Sequence, residues 1–123
     1  MVGYHGHAKT GPKDWERAFS LAKYNGANVD IGHFVAGNNT SPLPFIKQYH
    51  DRVTHIHVKD RKMHDGPNVP FGEGDTPWKK LLDAAERTGG AEYYLIEQEG
   101  SRFPSIVTAE KCLENYHKLR PRA

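Results

Sequence analysis

Two periodicities take turns along the chain, one of two residues and one of about 3.6, and their alternation sets out the elements. Short β-rich runs occupy Val2 to His5, Asn28 to Gly32, Val53 to Val58 and Glu92 to Glu97, the third alternating most plainly. Between them lie amphipathic stretches. Trp15, Ala18, Phe19 and Ala22 fall at i, i+3, i+4 and i+7 of a helix that starts near Pro12, a residue suited to the first turn, and ends at Asn25 and Gly26. After the second run, a loop of Gly, Asn, Thr, Ser and Pro leads to a helix carrying Phe45, Ile46 and Tyr49. A long polar segment, Lys59 to Asp75, is rich in Gly and Pro and reads as a functional segment or a mobile lid. Thr76 is then a candidate N-cap ahead of Pro77, and Trp78, Leu81, Leu82 and Ala85 form a helical stripe stopped by Gly89 and Gly90. Ala109, Cys112, Leu113 and Tyr116 share one face of a last helix.

Four strand–helix units in succession predict an α/β fold, a parallel sheet with helices packed outside it, in a single domain over residues 1–123. A complete (β/α)8 barrel takes about 250 residues. The chain therefore matches the (βα)4 half of such a barrel, either the second half of a longer one or one of two copies that close a barrel between them. A flavodoxin-like open sheet is the other candidate, though it calls for a further strand. An isolated four-strand sheet would leave two unpaired edges, which favour aggregation.

Composition narrows the function classes. With 37% hydrophobic and 26% charged residues and a formal charge of +2, the chain reads as an ordinary soluble domain. It has no apolar run of membrane-spanning length and no signal-peptide core at its start, so a cytoplasmic setting is expected. The single cysteine, Cys112, excludes an internal disulfide and a CxxC zinc or redox motif. The 17 basic residues face 15 acidic ones without a long run of either sign, which argues against nucleic acid. Eight histidines are the unusual feature.

Strand alternation sorts these histidines. His5 shares a face with Gly3 and His7, His55 with His57, and Glu97 with Leu95 and Tyr93, while Asp30 lies opposite Val29 and Ile31. Each strand thus ends in an acid or a histidine on the side away from its helix-packing aliphatic residues. In parallel α/β folds ligands bind at the carboxyl ends of strands, where these side chains converge. His5, Asp30, His57 and Glu97 offer the nitrogen and oxygen donors suited to one divalent ion of Mn, Co, Zn or Fe. Taken singly, each also fits a residue that caps or satisfies a strand end; four successive strands ending this way favour the metal. His55 fits a hydrogen-bonded interior histidine, and His50, His64 and His117 fall on a helix or loop as solvated residues. Lys59 and Asp60 read either as a surface ion pair or, just beyond His57, as functional groups. Tyr4, Tyr94, Trp15 and Trp78 read as core aromatics. Gly72-Glu73-Gly74-Asp75 lacks the pattern of a nucleotide-binding loop.

The stretch VGYHGH from Val2 to His7, NVDIGH from Asn28 to His33, THIHVKD from Thr54 to Asp60, FGEGDTPW from Phe71 to Trp78 and LIE from Leu95 to Glu97 together resemble the sugar phosphate isomerase/epimerase family. This family lies within the xylose isomerase-like TIM barrel superfamily, to which endonuclease IV also belongs. The resemblance runs in order along nearly the whole chain and covers the family's strands five to eight. In the ketose epimerases of this superfamily Glu, Asp, His and Glu at those strand ends hold one divalent metal. The resemblance places Asp30, His57 and Glu97 on the last three positions and His5 where the first Glu stands. That departure removes one member of the two-glutamate proton-transfer pair and makes His5 a ligand or a substrate contact. The resemblance also implies substrate contacts at His33 and Lys59, with His7 beside them.

The chemistry so implied is enolisation of a ketose or keto-sugar through an enediolate, with Glu97 as base and His5 or His33 as its partner. A leaving group β to the carbonyl turns the same site into a dehydratase or a keto-glycoside lyase. A DNA repair nuclease like endonuclease IV is the less fitting reading, since it needs three zincs and a basic surface. A non-catalytic half barrel, a fragment or an assembly module, is the remaining one. The expected partners are a small sugar and either a second copy of the chain or the missing N-terminal half.

Overall fold

Strands of a parallel sheet buried on one side need aliphatic residues on alternate positions, and the chain supplies them at Ala27, Val29, Ile56 and Val58, all fully buried. The computed structural model describes residues 1–87 and 90–121. Strands β1 (Val2–His5), β2 (Asn25–Asp30), β3 (Val53–Val58) and β6 (Tyr93–Ile96) pair in parallel in the order β1-β2-β3-β6. Helices α1 (Pro12–Leu21), α2 (Ile31–Asn38), α3 (Leu43–Gln48), α4 (Trp78–Glu86) and α5 (Ser105–Leu119) connect or follow them. Trp15, Phe34, Phe45, Ile46, Trp78, Leu81, Leu82 and Cys112 close a single hydrophobic core over the aliphatic face of the sheet. The α/β class and the parallel order are as the alternation predicts.

Several local expectations are corrected. Asn25 and Gly26 do not end α1; they open β2, and the helix stops at Leu21 with an extended Ala22. The Asn25 side chain nevertheless serves that end, its Nδ2 donating to the Ala18 carbonyl at 2.7 Å. Strand β2 stops at Asp30 instead of running to Gly32, because Asp30 is the N-cap of a helix where a loop was expected. Thr76 does not cap α4: Pro77 occupies that position, and the Thr76 carbonyl accepts from the Trp78 N–H at 2.9 Å while its hydroxyl is buried without a hydrogen-bond partner. Tyr4 is no core aromatic but an exposed side chain on the edge strand, whereas Trp15 and Trp78 are buried. Gly89 lies outside the described residues.

The polar segment after β3 is tied down by one side chain. Within it β4 (Asp60–Arg61) and β5 (Asn68–Val69) form an antiparallel pair. Asp60 is fully buried. Its Oδ2 accepts from Gly72 N, Gly74 N and Trp78 Nε1 at 2.9, 2.9 and 2.8 Å, and its Oδ1 accepts from Arg61 N at 2.9 Å. Gly74 is required by closeness, since a Cβ there would stand 2.0 Å from Asp60 Oδ1, and Gly72 by its positive φ of 90°. Burial raises the pKa of this carboxyl above its ordinary value, and the four hydrogen bonds pull against that rise. The glycine motif is thus a cradle for a carboxylate of the same chain. Lys59 and Asp60 are both buried and point to different partners, so they do not form a surface ion pair.

An Asp60→Asn variant replaces one acceptor oxygen by an NH2 group and leaves at least one N–H of the cradle facing a donor. It should lose about 1–3 kcal/mol of stability, read as a lowered urea midpoint.

Candidate metal centre

The carboxyl ends of the four strands carry the polar face. A register shift in the β2–β3 ladder between Ala27 and Asn28 sets Asn28 opposite His55 and Asp30 opposite His57. Asp30 divides its two oxygens: Oδ1 accepts from His33 N at 2.9 Å and caps α2, while Oδ2 turns to the strand ends. Around Oδ2 stand His5 Nε2 at 3.5 Å and His57 Nδ1 at 3.8 Å. His57 Nδ1 also lies 3.2 Å from His5 Nε2 and pairs closely with Glu97. One ligand atom from each of His5, Asp30, His57 and Glu97 falls within 4.8 Å of every other.

This donor set fits a divalent cation. Asp30 Oδ2 is buried and makes no hydrogen bond; the Lys59 ammonium stands 3.0 Å away, and the oxygen keeps a lone pair for a second cation. Two imidazoles and two carboxylates match the preference of first-row divalent ions for mixed nitrogen and oxygen donors. Burial, followed by the neighbouring His57, lowers the pKa of His5 and keeps its imidazole neutral with a lone pair to give.

A second group of contacts flanks the first. Lys59, 2% exposed, sends its stem over Gly32, where a Cβ would meet Lys59 Cγ at 2.5 Å. Its Nζ lies 3.0 Å from Asp30 Oδ2, 3.2 Å from Glu99 Oε1 and 3.3 Å from His33 Nε2. Burial disfavours the ammonium, yet Asp30 and Glu99 outweigh it and raise the Lys59 pKa, so the amine stays charged. The His7 ring sits 4.9 Å from the rings of both His5 and His33. His5, His7, His33, Lys59, Asp30, His57 and Glu97 are therefore all brought to one place.

The other histidines lie elsewhere. His55 stacks on Tyr93 at 5.4 Å and contacts the Thr54 hydroxyl, and exposed His64 pairs with Asn39. Strand alternation did not single out Asn28, whose Nδ2 lies 3.4 Å from His57 Nε2, nor did it single out Glu99. Glu99 stands two residues past Glu97 in the same period, but beyond the end of β6, where no aliphatic run continues to mark a strand.

Residues 5–117 match the model of the xylose isomerase-like TIM barrel family. The chain is 29% identical over 85 residues to the L-ribulose-5-phosphate 3-epimerase UlaE of Shigella flexneri serotype 5b (strain 8401), a match covering 68% of this chain and 30% of that protein. It is 32% identical over 68 residues to the same enzyme of Salmonella paratyphi A, covering 55% of this chain and 24% of that protein. A xylose isomerase domain protein from Planctomyces limnophilus superposes with a TM-score of 0.77 at 18% identity, over 98% of this chain and 45% of that one. A D-tagatose 3-epimerase-like protein gives 0.69 at 20% identity, over 97% and 46%. The chain thus spans about half of these solved barrels and less than a third of the curated relatives. With the family model covering almost its whole length, the chain belongs to the xylose isomerase-like TIM barrel family and has the fold of one half of that barrel.

Proposed function

We propose that the chain carries the metal-holding half of a divalent-metal-dependent sugar isomerase or epimerase that works on a ketose or keto-sugar through an enediolate. The convergence of His5, Asp30, His57 and Glu97 from four successive strands carries this reading, and the epimerase names of the relatives support it. A divalent ion of Mn, Co, Zn or Fe held by these four residues would supply Lewis acidity beside an α-hydroxycarbonyl.

The remaining chemistry falls to the chain itself. Glu97, exposed at the strand end, takes a proton from the carbon next to the carbonyl while the C–H electron pair moves into a C=C bond and the C=O π pair moves onto the oxygen. His5 or His33 holds the partner proton. Return of a proton to the opposite face of that carbon gives the epimer; return to the neighbouring carbon, with transfer of the hydroxyl proton, gives the isomer. Lys59 keeps its charge between Asp30 and Glu99 and would hold a substrate oxygen at that end of the site, with His7 and His33 as further contacts. His5 in the place of a carboxylate leaves Glu97 and Glu99 as the exposed carboxylates among imidazoles, and that set also suits β-elimination by a dehydratase or lyase.

A closed pocket needs four further strands, from a second copy of this chain or from an N-terminal half. The exposed Val2 and Tyr4 on β1 and Tyr93 and Leu95 on β6 mark the edges to be covered. No helix among the described residues is long and apolar enough to cross a membrane. A cytoplasmic enzyme with a small sugar as its partner, and no nucleic acid, fits the balanced charge.

Elemental analysis of the purified chain should find about one Mn, Co, Zn or Fe per chain, lost in an Asp30→Ala/His57→Ala double variant. No metal in the intact chain after reconstitution would overturn the reading. With metal bound and the barrel completed, NMR in D2O should show deuterium entering ketoses, ketose phosphates or keto-glycosides at the carbon beside the carbonyl.

A Lys59→Met variant leaves the buried Asp30 carboxylate without its ammonium and should cost about 3 kcal/mol in the metal-free chain. Urea unfolding measures it, and added Mn2+ should restore part of the loss.

A further inference from the structure

The ladder between β3 and β6 ends early. Its last paired residues are Val58 and Ile96, followed by one weak backbone bond from Glu97 N to Val58 O at 3.4 Å. Past that point the chains of Glu97 and Glu99 have no strand partner to fix them, although both carboxylates reach the candidate centre.

A side chain takes over where the backbone ladder stops. Gln98 Oε1 accepts from Asp60 N at 3.1 Å, and Gln98 Nε2 donates to the carbonyl of the same residue at 3.4 Å. A primary amide that accepts from the N–H and donates to the C=O of one residue makes the double exchange of an antiparallel residue pair, and so stands in for backbone pairing where the parallel ladder has ended. The same Nε2 donates to Gly100 O at 3.1 Å and so closes the Gln98–Gly100 bend from within. Asp60, the anchor, is itself immobilised by its buried carboxylate in the glycine cradle. Period two then does the rest. With Gln98 directed at Asp60, its neighbours Glu97 and Glu99 are directed the other way, the first to His57 and the second to Lys59.

We propose that Gln98 is a positioning residue that extends the β3–β6 pairing by one side-chain bridge and thereby aims Glu97 and Glu99 at the metal centre. The proposal rests on the metal-centre reading of His5, Asp30, His57 and Glu97. It gives the segment after β3 a second role, since the cradle around Asp60 supplies a fixed point against which the end of β6 is set. Glu97 touches the reacting groups; Gln98 acts only through it.

The test uses Gln98→Leu, of similar size without either bond, and Asn115→Leu as a control. The control removes a hydrogen bond of the same kind, Asn115 Nδ2 to Phe71 O at 2.8 Å, from the same segment but away from the two glutamates. Mn2+ titration followed by the EPR signal of the free ion should show about tenfold weaker binding for Gln98→Leu, the usual effect of removing a group that orients a ligand. Asn115→Leu should lower the thermal midpoint and leave Mn2+ affinity unchanged. Equal loss of affinity in the two variants would reduce Gln98 to general stability and overturn the proposal. A metal-independent measurement stands beside it: NOEs between the His57 ring protons and the Glu97 γ-protons, present in the wild-type chain, should vanish in Gln98→Leu. Their persistence overturns the positioning role. A wild-type chain that binds no Mn2+ overturns the metal centre instead, and the NOE comparison still decides on Gln98.

Discussion

The two oxygens of Asp30 hold the structure of the site together. One caps α2 through His33 N and so fixes where β2 gives way to the helix; the other is left buried among His5, His57 and Lys59. A cap alone is a common use for an aspartate. Here the same residue obliges the helix start to coincide with the sheet end, which draws His33 and the backbone of Gly32 to the edge of the polar cluster. Lys59 can then lie over Gly32 and bring its charge to the buried oxygen. Strand termination, helix initiation and charge compensation are thus one arrangement.

Much of this was legible along the chain because β alternation is a short-range rule. It placed Ile56 and Val58 in the core and His55 and His57 on the other face, and it brought His5, Asp30 and Glu97 to neighbouring strand ends. What it could not supply was any element whose signal is tertiary. Helix α2, with the sequence IGHFVAGN, has two glycines and a weak stripe, and it is helical because Ile31, Phe34 and Val35 are buried against the sheet. The N-cap signal at Asp30 was present, but Ile31 and Gly32 also continue a strand pattern. Glu99 and Gln98 lay beyond the alternating run, and their roles depend on Lys59 and Asp60, some forty residues earlier in the chain. Asp60 reads as a member of a surface ion pair or as a functional group until the N–H groups of Gly72, Gly74 and Trp78 surround it.

The two faces of the sheet are under different constraints. The aliphatic face is closed by helices and is stable by burial. The other holds imidazoles and carboxylates at the carboxyl ends, with Tyr93 and Leu95 exposed on β6. Polar groups of this density are costly to bury and cannot form a second core by themselves. The face that contributes least to folding is thus the one on which His5, Asp30, His57 and Glu97 converge.

The exposed edges β1 and β6 also differ from each other, being opposite ends of one all-parallel sheet. A β1-to-β6 contact between copies is consequently heterologous, a head-to-tail joint in which each new copy presents the same vacant edge again. Such a joint closes into a ring of two only if the sheet curves through half a turn; a smaller whole fraction of a turn closes a larger ring, and any other curvature propagates. The curvature of four strands therefore decides between a finite barrel and a filament.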